Sequence, residues 1–197
     1  MLATLERWRV LCKRIGAKDN PVTGRTVDGT YHLDLILPYT GPDRHYHDIV
    51  HIDEGLELMD VKEIRRTAEN PDLLEMKWWW HDQIYKTKGR ESKFNEAKSA
   101  LNAFEALKEL GVPDHVCVEV MSGIMSTLHS YMPTQFDHKL IADIDLIRIA
   151  APPEVFATNA ENIRKEYGIT VEEFKTARAQ FFINFIKNRP YVYLTPY

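Results

Sequence analysis

Three consecutive tryptophans, Trp78-Trp79-Trp80, run directly into His81-Asp82 within a segment that reads as a helix from Asn70-Pro71 onward. Asn70 suits the capping position, and Pro71 suits the first turn, where a backbone N–H has no intrahelical partner. A helix with large apolar groups on several faces must be buried. An imidazole and a carboxylate at its end then need partners, because burying them unpaired is costly. A divalent cation would satisfy both; a hydrogen bond between the two, or to nearby backbone, is the plainer alternative.

The remaining chain reads as helices. Leu2, Leu5, Trp8, Leu11 and Ile15 repeat at helical spacing before Gly16. Turn-forming residues fill 20–29, and Leu33, Ile36 and Leu37 suggest a short helix stopping before Pro38. A third helix is expected to start within Arg44–Ile52 and a fourth to cover Val61–Thr67. The segment 91–110 places Phe94, Ala97, Leu101, Phe104 and Leu107 on one face, closed by Gly111 and Pro113. Further helices are expected over 116–128, 136–150 and 153–167. Thr170-Val171-Glu172-Glu173 has the form of a capping box opening the last one. The tail from Arg189-Pro190 to Tyr193 is short and β-prone. Without convincing alternating strands, repeats or linkers, the expected fold is all-α, in a single domain over 1–197.

Composition narrows the function. A net charge of −4 lacks the basic surplus of a nucleic-acid-binding protein, so nucleic acid is not an expected partner. No apolar run approaches the ~20 residues of a membrane span, and the N-terminus lacks a signal peptide's apolar core. Two cysteines, Cys12 and Cys117, are too few and too dispersed for a disulfide framework or a thiolate metal site. The expectation is a reduced, cytoplasmic setting without membrane association.

Histidine placement carries the chemistry. His47 and His51 are four apart and would share one face of a helix, whether as a ligand pair or by chance. His129 falls at an expected helix end, either at a pocket's edge or as a local helix-end group. Asp143 and Asp145, two apart, diverge by about 200° on a helix, so only one can face a given site. In order, His47, His81-Asp82 and Asp145 lie on separate apolar segments. Nitrogen and carboxylate donors without thiolate suit Mn²⁺, Fe²⁺, Co²⁺, Ni²⁺ or Zn²⁺.

This His…His-Asp…Asp order on a helical bundle resembles the HD superfamily of metal-dependent phosphohydrolases. Further blocks resemble its small branch of predicted metal-dependent HD phosphohydrolases. They are Arg44-His45-Tyr46-His47 with His51-Ile52, Trp80-His81-Asp82-Gln83-Ile84-Tyr85, Asn95-Glu96 with Ser99-Ala100, Thr127 with His129, Asp143-Ile144-Asp145-Leu146, and Ile163-Arg164-Lys165-Glu166-Tyr167. The likeness spans roughly 35–193.

The resemblance implies an HD-domain helical bundle with His47, His81, Asp82 and Asp145 as metal ligands, holding one or two ions, Mg²⁺ also being allowed. It implies hydrolysis of a phosphoester or phosphoanhydride, in a nucleotide or related small molecule, by metal-activated water, with Asp82 also accepting a proton. His51 and His129 become lining residues that hold a second metal or contact phosphate, and Glu96 orients a water or a ligand histidine. Arg44 and Arg164 are candidate phosphate clamps, with surface salt bridges as the alternative. The basic loop with Lys86, Lys88 and Arg90 either attracts an anion or is simply solvated. Tyr85 stands where some HD nucleotidases carry an acidic residue. HD proteins often form dimers, so a homo-oligomer through the aromatic tail at Tyr191 and Tyr193 is a further expectation. Two other readings remain at this level: a di-iron oxygenase using His51 and His129, and a non-catalytic nucleotide-binding module.

Overall fold

The computed structural model describes residues 3–189 and 191–196. Among these the chain forms α-helices and no strand, an all-α bundle. The helices are α1 (Leu5–Arg14), α2 (His32–Ile36), α3 (Ile49–Asp60), α4 (Lys62–Thr67), α5 (Pro71–Trp80), α6 (Asn95–Glu109), α7 (Asp114–Ile124), α8 (Phe136–Asp145), α9 (Pro153–Tyr167) and α10 (Val171–Asn188). None is long and apolar enough to cross a membrane.

The tryptophan helix α5 is the axis of the bundle. Every residue from Leu73 to Trp80 is buried, and α1, α3, α6, α7 and α8 all pack against it. Asn70 caps it by accepting from the Leu73 N–H, with Pro71 in its first turn. Two charges are carried into this core, and each is answered. Glu75 takes Arg7 Nε and Nη2 at 2.7 and 3.0 Å, and the fully buried Lys77 donates to Glu119 at 2.7 Å. Pairing is what makes their burial tolerable.

The surrounding helices obey local rules. Thr4 caps α1, whose Trp8 and Leu11 enter the core beside Leu5 and Ile15; Leu2 lies outside the described residues. The Thr170–Glu173 capping box opens α10. Gly168, at φ 60°, closes α9 in the left-handed conformation. The tail forms no strand over its described residues, and Pro190 is not among them.

Three local expectations are corrected. The 27–31 stretch is a π-turn leading into α2, and helical geometry continues past Pro38 as a 3₁₀ turn over 37–40. Pro38 sits near that turn's start, where a missing N–H costs nothing. On α6 the buried face is Ser99, Ala100, Ala103, Ala106 and Leu107, whereas Phe94 and Leu101 are exposed. Small residues were needed there because α7 packs closely along that side.

The third correction matters most for function. Residues 44–47 are not helical, and α3 begins only at Ile49, because Asp48 accepts from the N–H groups of Val50 and His51 as its N-cap. His47 and His51 therefore do not share a helix face.

Gly55 of α3 lets Trp78 approach closely, since an added Cβ would lie 2.1 Å from the indole ring. Alanine normally gains about 1 kcal/mol over glycine inside a helix, but overpacking a core costs about 1–3 kcal/mol and wins against an indole that is itself fully buried. Gly55→Ala should therefore lower the melting temperature by several degrees in a thermal scan. A raised melting temperature would contradict this packing.

Candidate metal centre

The C-terminal end of α5 is held from several sides. Tyr39 donates its hydroxyl to the Trp79 carbonyl at 3.0 Å and accepts from the Asp82 N–H at 3.2 Å. Ser99 accepts from the Ile84 N–H at 3.0 Å. These contacts fix the turn on which His81 and Asp82 sit.

His81 is completely buried and stacked on Trp78, ring centroids 4.1 Å apart at 19°. Its Nδ1 lies 2.8 Å from the Trp78 carbonyl. A carbonyl only accepts, so Nδ1 carries the hydrogen and Nε2 is the nitrogen that faces the site. Facing it are Asp82 Oδ2 at 3.1 Å, His51 Nε2 at 3.3 Å and Asp145 Oδ1 at 3.4 Å. His51 Nε2 in turn lies 3.3 Å from Asp145 Oδ1 and 3.8 Å from Asp82 Oδ2. One donor atom from each of His51, His81, Asp82 and Asp145 falls within 4.8 Å of all the others. The four can hold a metal ion.

The donors fit a cation on physical grounds. With Nδ1 protonated, a neutral His81 turns a lone pair toward two carboxylates, and Asp82 Oδ2 is buried without a hydrogen-bond donor. That arrangement is repulsive unless a positive charge sits among them. Without a cation, a proton on His81 would play that part. Burial opposes charging His81, but Asp82 and Asp145 outweigh it and lift its pKa to about 10. Burial likewise opposes ionising Asp145, yet its bonds to His129, His51 and His81 hold it well below the ordinary carboxylate range. Bonds of ~2.1 Å from a metal to nitrogen or oxygen set neighbouring donors roughly 3–3.5 Å apart, close to the spacing found.

His47, expected as a ligand, stands outside this set and His51 stands inside it. His47 nevertheless lines a cavity of about 250 Å³ that Asp82 and Asp145 also line, and its ring centroid is 6.1 Å from that of His51. Its Nδ1 is bonded to Glu166 Oε1 at 2.7 Å and its ring stacks on Tyr85 at 3.7 Å. Glu166 Oε2 accepts from the backbone N–H groups of His45, Tyr46 and His47 at 2.9, 2.6 and 3.0 Å. A loop that curls its N–H groups around one oxygen forms a nest. Glu166 was within reach of sequence analysis, two residues beyond Arg164 in the same block.

His129 ends the turn over 125–128 with φ 56°, the one non-glycine residue at positive φ among the described residues. Its Nε2 is 2.8 Å from Asp145 Oδ2, and Arg189 Nη1 is 3.3 Å from its Nδ1. Arginine can only donate, so His129 Nδ1 accepts and Nε2–H donates to Asp145. Glu96 lines the cavity half-buried, and burial raises its pKa.

The two arginines expected to clamp phosphate are otherwise engaged. Arg44 donates to the carbonyls of His47, Asp82 and Gln83 at 2.8–2.9 Å, tying the loop to the His81-Asp82 turn. Arg164 pairs with Glu161 and donates to the Ile169 carbonyl just beyond the end of α9, and it does not line the cavity. Arg178 of α10, which no sequence signal singled out, does line it. Lys86 and Lys88 border a separate groove of about 660 Å³ with Arg44, His45 and Lys165. Asp143, the other half of the Asp-x-Asp pair, faces away and accepts from the N–H groups of Leu194 and Thr195.

Compared with protein-family models, curated proteins and solved structures, the chain matches none.

Glu166 supplies a pH test of this architecture. Burial opposes its ionisation, but His47 and the backbone donors draw its pKa down from 4.5 to about 2. Because the folded value is the lower one, its contribution is present above the ordinary glutamate range and is lost as pH falls toward about 2. Glu166→Gln should cost on the order of 2–3 kcal/mol near neutrality. Denaturant unfolding at pH 7 and pH 3 should show the gap from wild type narrowing in acid; a gap equal at both would contradict the assignment.

Proposed function

We propose that the chain is a metal-dependent phosphohydrolase of the HD type, acting on a phosphoester or phosphoanhydride of a nucleotide or related small molecule. The observation that carries this reading is the His81 tautomer, locked by the Trp78 carbonyl so that Nε2 meets two carboxylates and a second imidazole at one end of a cavity. Two nitrogen and two carboxylate donors suit a first-row divalent ion such as Mn²⁺, Fe²⁺, Co²⁺, Ni²⁺ or Zn²⁺. A cation there supplies Lewis acidity to a phosphoryl oxygen and to an attacking water.

The chain's own groups divide the remaining work. His51, His81, Asp82 and Asp145 hold the ion, and His47, aimed by Glu166, stands beside them as a further donor. A carboxylate on Nδ1 of a histidine fixes its ring and leaves Nε2 as the ligand nitrogen. Glu96 lines the same cavity outside the cluster, with its proton retained to higher pH by burial, which suits delivery of a proton to the leaving oxygen. Tyr85 and Tyr167, hydroxyls 3.2 Å apart, line one side of the cavity.

One ion is favoured over two. His129 has its Nε2–H on Asp145 and a guanidinium against Nδ1, so neither nitrogen offers a lone pair to a second metal. This argues against the di-iron oxygenase. A protonatable Glu96 in the cavity argues for a catalyst over a ligand-binding module.

Elemental analysis of gently purified protein should find one transition-metal ion per chain. Asp82→Asn should weaken metal affinity by more than about 100-fold and remove phosphatase activity, with the helical circular-dichroism signal retained. Glu96→Gln should keep the metal and lose about 10²–10⁴ in kcat. Phosphoester turnover by Asp82→Asn at the wild-type rate would overturn the reading.

A further inference from the structure

Arg178 is a charged group whose surroundings in the protein do not account for it. It projects from α10 into the cavity wall, with its guanidinium carbon 4.9 Å from the Phe181 ring centre and 4.7 Å from that of Phe182. Its Nε is shut off from solvent and meets no acceptor, and no carboxylate among the described residues pairs with it. Each of the other arginines near the cavity meets at least one acceptor or carboxylate. Arg44 donates to carbonyls, Arg148 to Glu54 and the Tyr46 carbonyl, and Arg189 to His129. Arg189 Nε and Nη2 are also buried without a hydrogen bond, but Nη2 lies 3.5 Å from Asp143 Oδ1.

The groups that act most directly on Arg178 are the phenols of Tyr46, Tyr85 and Tyr167, which carry no charge; Asp82, Glu96 and Asp145 line the same cavity but do not pair with it. Burial pushes Tyr46 up to about 12 and Tyr85 and Tyr167 upward as well. Stacking on rings satisfies the faces of a guanidinium, but its N–H groups lie in its plane and still need acceptors. A half-buried arginine with aromatic faces and an unfilled donor edge is built for a planar pair of anionic oxygens.

We propose that Arg178 grips two oxygens of a terminal phosphoryl group, which makes terminal phosphates, as in phosphomonoesters, and not phosphodiesters, the ligands of this cavity. The inference rests on the phosphohydrolase reading and names its substrate class. A monoester has three non-bridging oxygens, enough for one on the cation and two on the guanidinium fork. A diester has two, so one oxygen would have to serve the cation and the fork together, at a cost to both contacts. Size agrees: about 250 Å³ is below the ~300–1,000 Å³ of sites that enclose a drug-sized ligand. The cavity takes a phosphoryl end, and the rest of the molecule extends outward.

The test is calorimetric titration of metal-loaded protein with methyl phosphate and with dimethyl phosphate, the metal content of each sample being measured alongside. Wild type should bind methyl phosphate at least about tenfold more tightly than dimethyl phosphate. Arg178→Gln should weaken methyl phosphate by about 10–100-fold and remove most of the preference, and Arg178→Lys, a point charge without a fork, should recover only part of it. Because the unpaired cation is a burden on folding, Arg178→Gln should also melt at or above the wild-type temperature.

Unchanged methyl phosphate affinity in Arg178→Gln, full recovery by Arg178→Lys, or equal wild-type binding of both esters would overturn the proposal. The two readings fail separately. Protein that takes up no metal, yet binds methyl phosphate through Arg178, would sink the hydrolase and keep the anion site. Metal-loaded protein whose phosphate affinity ignores Arg178 would do the reverse.

Discussion

The site depends on one short hydrogen bond inside α5. The Trp78 carbonyl, in the last turn of the helix, lacks an onward backbone partner and takes His81 Nδ1 at 2.8 Å. That single contact satisfies a helix-end carbonyl and chooses the histidine's tautomer. It also presses the imidazole flat against the indole of the same tryptophan, which itself donates Nε1–H to the Ile52 carbonyl. A ring with no room to rotate and no choice of proton position is preorganised at the cost of a buried, charge-hungry nitrogen. The other donors gather around that nitrogen, and α5 can offer it only because its whole circumference is packed.

Around this fixed point, the polypeptide brings its remaining groups in by different devices. His51 arrives on a capped helix, whereas His47 arrives on a loop whose backbone wraps a carboxylate from α9, 119 residues further along. Asp145 stands at the end of α8, and its neighbour two residues back anchors the C-terminal tail through Leu194 and Thr195. The same tail region brings Arg189 to His129, whose left-handed backbone carries a cost of roughly 1–2 kcal/mol. Strain of that kind is found where a side chain must be aimed; here the imidazole is aimed at Asp145.

The arginines show how little charge alone reveals about a role. Arg44 belongs to the site by sequence neighbourhood, yet its donors close backbone carbonyls and hold two loops together. Arg164 stabilises the end of its own helix. Arg178, with no notable sequence context, sits on the cavity with aromatic rings beneath it and nothing to pair with. A guanidinium can reach many acceptors, and which it meets is settled by the loops that arrive beside it.

What could be read from the chain alone were the features set by near neighbours. The all-α class, the Asn70–Pro71 start of α5, the Thr170–Glu173 box, the stop at Gly168 and the conflict of burying His81-Asp82 all follow from residues within a few positions of one another. The α6 face was misjudged because bulky residues were assigned inward, when the close approach of α7 selects Ser99, Ala100 and Ala103. Helical spacing placed His47 with His51, but with Asp48 as its cap the helix begins at Ile49, two residues too late for that, and Glu166 takes the loop's N–H groups instead. Whether His51 or His47 joins the innermost donors, and whether an arginine faces a carbonyl or a cavity, depends on groups about a hundred residues away. Local preference is encoded along the chain; the partner of a buried polar group is decided only when the helices pack.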